Sequence, residues 1–201
     1  MTFLVTTLNI KEEIMKKHLL LALILILAIA GIQQTPSVSS TYVYAAQAQT
    51  DEDMANLLKG SQYANQALKE MQQGKFNEAY KTFDEAFKYL DLFEKKLVAT
   101  PNYPDRANLL NKTRMSKATI YALKGKLEIE YYKQNTKGIA NLKKALELHP
   151  QKSAETLLAY ANLAIQQGYP SVAKIYVDQV LSAKNIPAKY ISIANSLKAK
   201  L

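Results

Sequence analysis

The groups in this chain that could do chemistry are few and scattered. Its two histidines are His18, directly before an apolar N-terminal run, and His149, directly before Pro150. Neither sits in a carboxylate-histidine spacing such as H-E-x-x-H, so no metal-ligating pair is expected. There is no cysteine, which removes a thiol nucleophile, thiolate zinc sites, disulfides and the lipidated cysteine of a bacterial lipoprotein. Glu128 and Glu130 are two positions apart; on a helix that spacing points them to different sides and denies them a shared proton or substrate. No glycine-rich phosphate loop is present. Acid-base, nucleophilic and metal chemistry have no recognisable constellation of residues to work with. The expectation is therefore a binding protein and not an enzyme, with no cofactor and no metal.

Charge is the next feature with functional content. The chain has 26 basic and 17 acidic residues, a net charge of +9, but only Arg106 and Arg114 among the basic residues are arginine. Base and phosphate recognition leans on the guanidinium fork, so specific nucleic-acid binding is not expected. The charge is also uneven. Residues 49–111 carry 8 basic and 10 acidic side chains, residues 112–152 carry 10 and 3, and residues 153–201 carry 5 and 2. The basic middle includes Lys112, Arg114, Lys117, Lys124, Lys126, Lys143 and Lys144. It reads as a solvated helical face, with contact to an acidic partner, an anionic membrane surface or a cell-wall polymer as the alternative.

The N-terminal residues read as an export signal. Met15-Lys16-Lys17-His18 leads into an unbroken apolar run of 14 residues, Leu19 to Ile32. A basic cluster followed by such a run is the pattern of a secretory signal peptide. Crossing the hydrocarbon of a bilayer takes about 20 apolar residues, so the run is short for a stable anchor. Ala46-Gln47-Ala48 supplies a small-x-small cleavage pattern that would leave Gln49 first, and Ala28-Ile29-Ala30 is a competing site. Phe3-Leu4-Val5 and Glu12-Glu13 dilute the basic character before Met15, which makes Met15 the expected start. Residues 1–48 are thus read as signal peptide and polar c-region, and 49–201 as an exported domain, secreted or periplasmic. An uncleaved segment would anchor the same domain outside the cytoplasm.

The elements that position the remaining residues are all helices. Apolar residues recur at helical spacing from Thr50 onward, and strand-like alternation is absent, so the fold class is all-α. Thr50, followed by Asp51, Glu52 and Asp53, reads as the cap of a first helix over 51–73. Gly74-Lys75, Thr100 to Pro104, Gln134 to Lys137, His149-Pro150, Gly168-Tyr169-Pro170 and Asn185-Ile186-Pro187 punctuate the rest of the chain. Helices are expected over 76–98, 105–133, from Gly138 to His149, 152–167, 171–184 and 188–201. The last should bury Ile191, Ala194 and Leu197, with Leu201 at the end of its stripe.

Three segments share a frame. Gly74-Lys75-Phe76-Asn77-Glu78-Ala79-Tyr80-Lys81-Thr82-Phe83-Asp84-Glu85-Ala86 resembles the second half of a tetratricopeptide repeat, in which a Gly turn precedes aromatic and Ala positions. Gly168-Tyr169-Pro170-Ser171-Val172-Ala173 repeats that frame, and Gly138 to Pro150 resembles the end of the repeat with its closing proline. Aligning Ala79, Gly138 and Ala173 gives separations of 59 and 35 residues. The second is close to the family period of about 34 residues, and the first implies an insertion of about 25.

The resemblance covers roughly residues 60–185. It implies antiparallel helix pairs over about 51–99, 105–149 and 152–184. These would stack as a short right-handed superhelix, with 188–201 as a C-terminal capping helix. It further implies a non-enzymatic scaffold that holds a peptide or helix in a concave face lined by the first helix of each pair. By alignment that face takes Ser61, Ala64, Leu68, Met71 and Gln72 from the first pair. Ala122, Gly125, Ile129, Tyr132 and Lys133 come from the second, and Glu155, Leu158, Asn162, Ile165 and Gln166 from the third. The Lys, Arg and Asn clamp with which some family members grip chaperone C-termini is not matched, since Ala64 and Leu68 occupy two of its places.

Overall fold

The computed structural model describes residues 44–201; the apolar run, the Met15 start and the Ala28–Ala30 site lie outside the described residues. Seven α-helices follow one another: α1 (Tyr44–Gln72), α2 (Phe76–Ala99), α3 (Arg106–Lys126), α4 (Asn135–Leu148), α5 (Pro150–Gln166), α6 (Pro170–Ser182) and α7 (Ala188–Lys198). A single π-helical turn, Leu127–Tyr131, continues α3. There is no strand among the described residues, so the fold is all-α.

Backbone chemistry explains most of the boundaries. Gly74 and Gly168 have φ of 74° and 76°, the left-handed conformation that ends a helix and that glycine adopts without strain. In each case the following amide reaches back six residues inclusive, Lys75 N–H to Glu70 C=O at 2.9 Å and Tyr169 N–H to Ala164 C=O at 2.8 Å. These are the same Schellman turn used twice. Pro150 and Pro170 occupy the first turns of α5 and α6, where a missing N–H leaves no bond unmade. His149 closes the start of α5, its Nδ1 accepting the Lys152 amide at 3.2 Å.

Helix ends shift by one to three residues in several places, α7 ending at Lys198 and not 201, and two differences have a clear backbone cause. α1 begins at Tyr44 and runs unbroken through Thr50, so Thr50 is not its cap. Ala45, Ala46, Gln47, Ala48 and Gln49 are strong or adequate helix formers, and no glycine or proline intervenes to stop them. The turn between α3 and α4 is also shorter than expected. It has no glycine, and Lys133 takes the left-handed conformation instead, with φ of 59°. The Gln134 amide then reaches the Glu128 carbonyl at 2.7 Å across the π turn, and α4 starts at Asn135.

Packing follows chain order. The broadest contacts are within the successive pairs α1–α2, α3–α4 and α5–α6. α1 also touches α3, α3 touches α5 and α5 touches α7, while α4 touches α6. One apolar core, from Ala67 and Met71 to Ala194 and Leu197, runs through all seven helices. α2 has 24 residues and α4 only 14, so α2 and the start of α3 overhang the rest. A second cluster fills that overhang, with buried Phe93, Leu97 and Tyr103 packed against Met54, Leu57, Leu109 and Leu110.

The α3–α4 pair is drawn together by two glycines. A Cβ on Gly125 would lie 2.6 Å from Leu142 Cδ2 and 3.0 Å from the Gly138 carbonyl oxygen. A Cβ on Gly138 would lie 2.5 Å from Ile129 Cγ1 and 2.9 Å from the Gly125 carbonyl oxygen. The two backbones therefore touch where no side chain fits. Gly138→Ala should destabilise the protein by about 1–3 kcal/mol through overpacking, measured as a lowered urea midpoint; an unchanged midpoint would show that the helices can part freely.

Candidate functional site

Ten of the fifteen residues expected on the concave face, those best placed to touch a partner, separate by depth. Met71 is fully enclosed, and Ile129 and Leu158 are buried. Leu68, Tyr132 and Ile165 are half-buried against the core, and Gln72 is half-buried at the end of α1. Lys133, Asn162 and Gln166 are exposed. Met71 and Ile129 are core residues because their stripes also face the partner helix of the same pair. Gly125, aligned to the same face, lies in the α3–α4 crossing for the same reason. Tyr132 donates to Asn77 Oδ1 at 2.6 Å, and the Lys133 ammonium donates to the Glu130 carbonyl at 2.5 Å. Lys133 stays within the turn that joins α3 to α4, and Tyr132 ties that turn to the start of α2.

Two of the ten, Leu158 and Asn162, line one recess. It is an open groove of about 560 Å³ between α5 and α7. Leu158 and Leu197 form an apolar floor, Ile193 stands on the rim with 46% of its surface exposed, and the exposed Lys200 also lines the recess. Asn162, Ser192 and Ser196 add neutral hydrogen-bonding groups along its length. The α7 residues were not legible as a site. Their apolar positions looked like one packing stripe, yet Ile191 is only half-buried and Leu201 is 40% exposed, while Ala194 and Leu197 carry the contact with the core. Ile193, off that stripe, was the available signal.

The charged residues of the middle segment behave differently from a solvated face. Glu128 is fully buried on the π turn. It accepts from the Tyr80 hydroxyl on α2, from Asn141 Nδ2 at 2.7 Å and from Lys137 Nζ at 3.1 Å, both on α4. Glu130 points elsewhere, accepting from the Tyr176 hydroxyl of α6 at 2.6 Å and from Lys126. The two acids diverge as their spacing requires, and neither shares a ligand with the other. Lys124 and Lys126 are buried. Lys124 pairs with Asp84 at 2.5 Å and lies 3.9 Å from the Tyr80 ring centroid, and Lys126 lies 5.0 Å from that of Tyr160. Lys117 is held between Asp91 and Glu94, at 2.5 and 2.7 Å.

Three of the seven cations of the expected basic face are thus turned inward and neutralised. The sequence showed their sign but not their partners, which come from helices 20 or more residues away or from the next turn. The other four, Lys112, Arg114, Lys143 and Lys144, are exposed, with Arg114 paired to Glu94 at 2.8 Å. Among the described residues, no group of three or more acidic or histidine side chains is placed to hold a metal ion, and no helix is long and apolar enough to cross a membrane.

No family model, no curated protein and no solved structure matches this chain.

The network makes two predictions. Burial first, then the hydrogen bond to Glu128, pushes the Tyr80 hydroxyl up to about 12. Its folded value exceeds the ordinary value near 10, so its stabilising contribution is complete below about pH 10 and is lost as pH rises toward 12. Tyr80→Phe should therefore flatten the fall of the thermal midpoint above pH 10. At neutral pH, Asn141→Leu, which strips a donor from the enclosed Glu128, should cost about 1.5–3 kcal/mol. Tyr160→Phe should be neutral or stabilising, because the Tyr160 hydroxyl is buried without a partner. Urea midpoints of the two variants check the contrast, and equal losses would refute it.

Proposed function

We propose that this chain is a non-enzymatic interaction module of tetratricopeptide type, acting outside the cytoplasm and holding a peptide or helix of another protein in its concave face. The α5–α7 groove carries this reading. It is an open, apolar-floored recess with amide and hydroxyl groups along its length, the composition expected of a peptide or helix groove. The pattern of neighbours supports it as well: contacts between α1 and α3, α3 and α5, and α5 and α7 are those of stacked pairs whose first helices line one face, with α7 as the cap. A right-handed superhelical sense belongs to the same proposal. Export rests on the Met15 to Ile32 pattern and the 14-residue apolar run.

The competing reading, binding of an anionic polymer or membrane surface by residues 112–152, loses support from the inward pairing of Lys117, Lys124 and Lys126. Salt separates the two. Polyanion binding should weaken steeply as ionic strength rises, and groove binding should not.

Affinity capture with the full chain, repeated with Ile193→Lys and Ile165→Lys, tests the proposal. The native chain should retain a partner from the extracytoplasmic fraction that Ile193→Lys loses by about tenfold or more, as for a central apolar anchor. Identical retention by native and both variants would eliminate the groove.

A further inference from the structure

We infer that the α5–α7 groove selects an acidic segment of a partner protein, one that places an apolar side chain over Ile193 and Leu197 and a carboxylate at Lys200. This rests on the groove reading above and adds the chemistry of the ligand.

Uncompensated charge stands beside an apolar floor. Among the described residues, Lys200 is the only charged side chain lining the groove. α7 also carries Lys189 and Lys198 and has no acidic residue. The nearby carboxylates are already engaged. Glu155, one turn before Leu158 on α5, pairs with Lys152 at 3.5 Å, and Asp178 on α6 pairs with Lys174. Residues 179–201 contain no Asp or Glu at all. Among the described residues, the groove therefore presents apolar surface beside a lysine, with no Asp or Glu side chain in its lining to balance the charge.

That balance opposes one arrangement of a second copy, the pairing of two C-terminal segments. Seating the C-terminal segment of another copy here would set its Lys189, Lys198 and Lys200 against the same three lysines, a like-charge arrangement that opposes association. A wholly neutral peptide would cover the floor but desolvate Lys200 without a partner, which costs free energy. An acid near Lys200 removes that penalty, and opposite potentials also speed and orient the encounter. The geometry sets the spacing. Ile193 and Leu197 stand at i and i+4 on one face of α7, and Lys200, two residues beyond the end of that helix, lines the same groove. Two turns of helix span about 10.5 Å. A helical ligand lying along α7 should therefore carry its apolar anchor and its Asp or Glu about two turns apart.

Peptide display on the full chain tests this directly. A library of random 15-residue peptides is selected on the native protein, with Ile193→Lys as the counter-target, both at moderate salt. Enriched peptides should pair a Leu, Ile or Phe with an Asp or Glu about two turns away. Replacing that acid by Gln should weaken binding about threefold to fivefold, the effect of one exposed ion pair. Lys200→Glu should weaken it further, and a Glu→Lys change in the peptide should restore binding to the Lys200→Glu protein. Both protein substitutions alter exposed side chains, and circular dichroism confirms that each variant retains its helices.

Each alternative result overturns the inference in a recognisable way. Enriched peptides that lack the acid, or a charge swap that fails to restore binding, would reject the acidic ligand while leaving the groove standing. Peptides that bind native and Ile193→Lys protein equally, or an empty selection, would reject the groove and this inference together. Phosphatidylglycerol vesicles that bind through Lys200 regardless of Ile193 would assign the charge to a lipid surface instead.

Discussion

Everything in the middle of this molecule is arranged around one buried carboxylate. Glu128 is fully enclosed, and an isolated carboxylate in such a place would carry a desolvation penalty of several kcal/mol. It is tolerable only because Tyr80, Asn141 and Lys137 converge on it from α2 and α4. Those donors fix how the first pair meets the second. A shift of α2 along α3 would remove the Tyr80 hydroxyl, and a rotation of α4 would remove Asn141. The apolar contacts around them are less particular, since hydrophobic packing is non-directional and can be satisfied in several registers.

The two glycines of the α3–α4 crossing and the π turn belong to the same constraint. With the backbones in contact at Gly125 and Gly138, α4 lies close enough for Asn141 to reach across to Glu128. The wider turn at Leu127–Tyr131 then sends Glu128 and Glu130 to separate neighbours, one to α2 and α4 and the other to α6. A π turn inside a helix is uncommon and tends to mark a place where geometry has been fixed for a purpose. Here its outcome is that one short segment joins all three helix pairs. Lys124 and Lys126, flanking it, are neutralised by Asp84 and Glu130 and lie against the Tyr80 and Tyr160 rings.

Polar interior and open groove therefore divide the molecule between them. Specific, fully partnered charges organise the first two pairs, where the long helices overhang. The C-terminal pair and α7 are joined mainly by small and aliphatic residues such as Ala161, Ala164, Ala194 and Leu197. That second kind of packing leaves a recess with an exposed Ile193 and a neutral polar lining. A binding surface placed there is supported by a scaffold whose stacking is specified elsewhere.

The sequence by itself determined the helical class and most of the boundaries, because these depend on local chemistry. Gly74, His149-Pro150 and Gly168-Tyr169-Pro170 could be read as breaks between helices, and the insertion before the second pair as longer α2 and α3; the structure then drew Pro150 and Pro170 into the first turns of α5 and α6. It also determined that Glu128 and Glu130 diverge, since that follows from helix geometry alone. Local chemistry did not mark Tyr44 as the start of α1, because Thr50 was a plausible cap inside a sequence that was helix-forming on both sides. Only the tertiary structure decided which charges are buried. Lys117 and Lys124 read as a basic surface until their partners arrived from α2, and Lys126 until its partner came from the π turn. It likewise decided that Met71 and Ile129 are core and that Leu158 and Asn162 open onto a groove. An apolar stripe is the same in sequence whether a neighbouring helix covers it or leaves a gap, and the gap here is made by where α7 comes to rest.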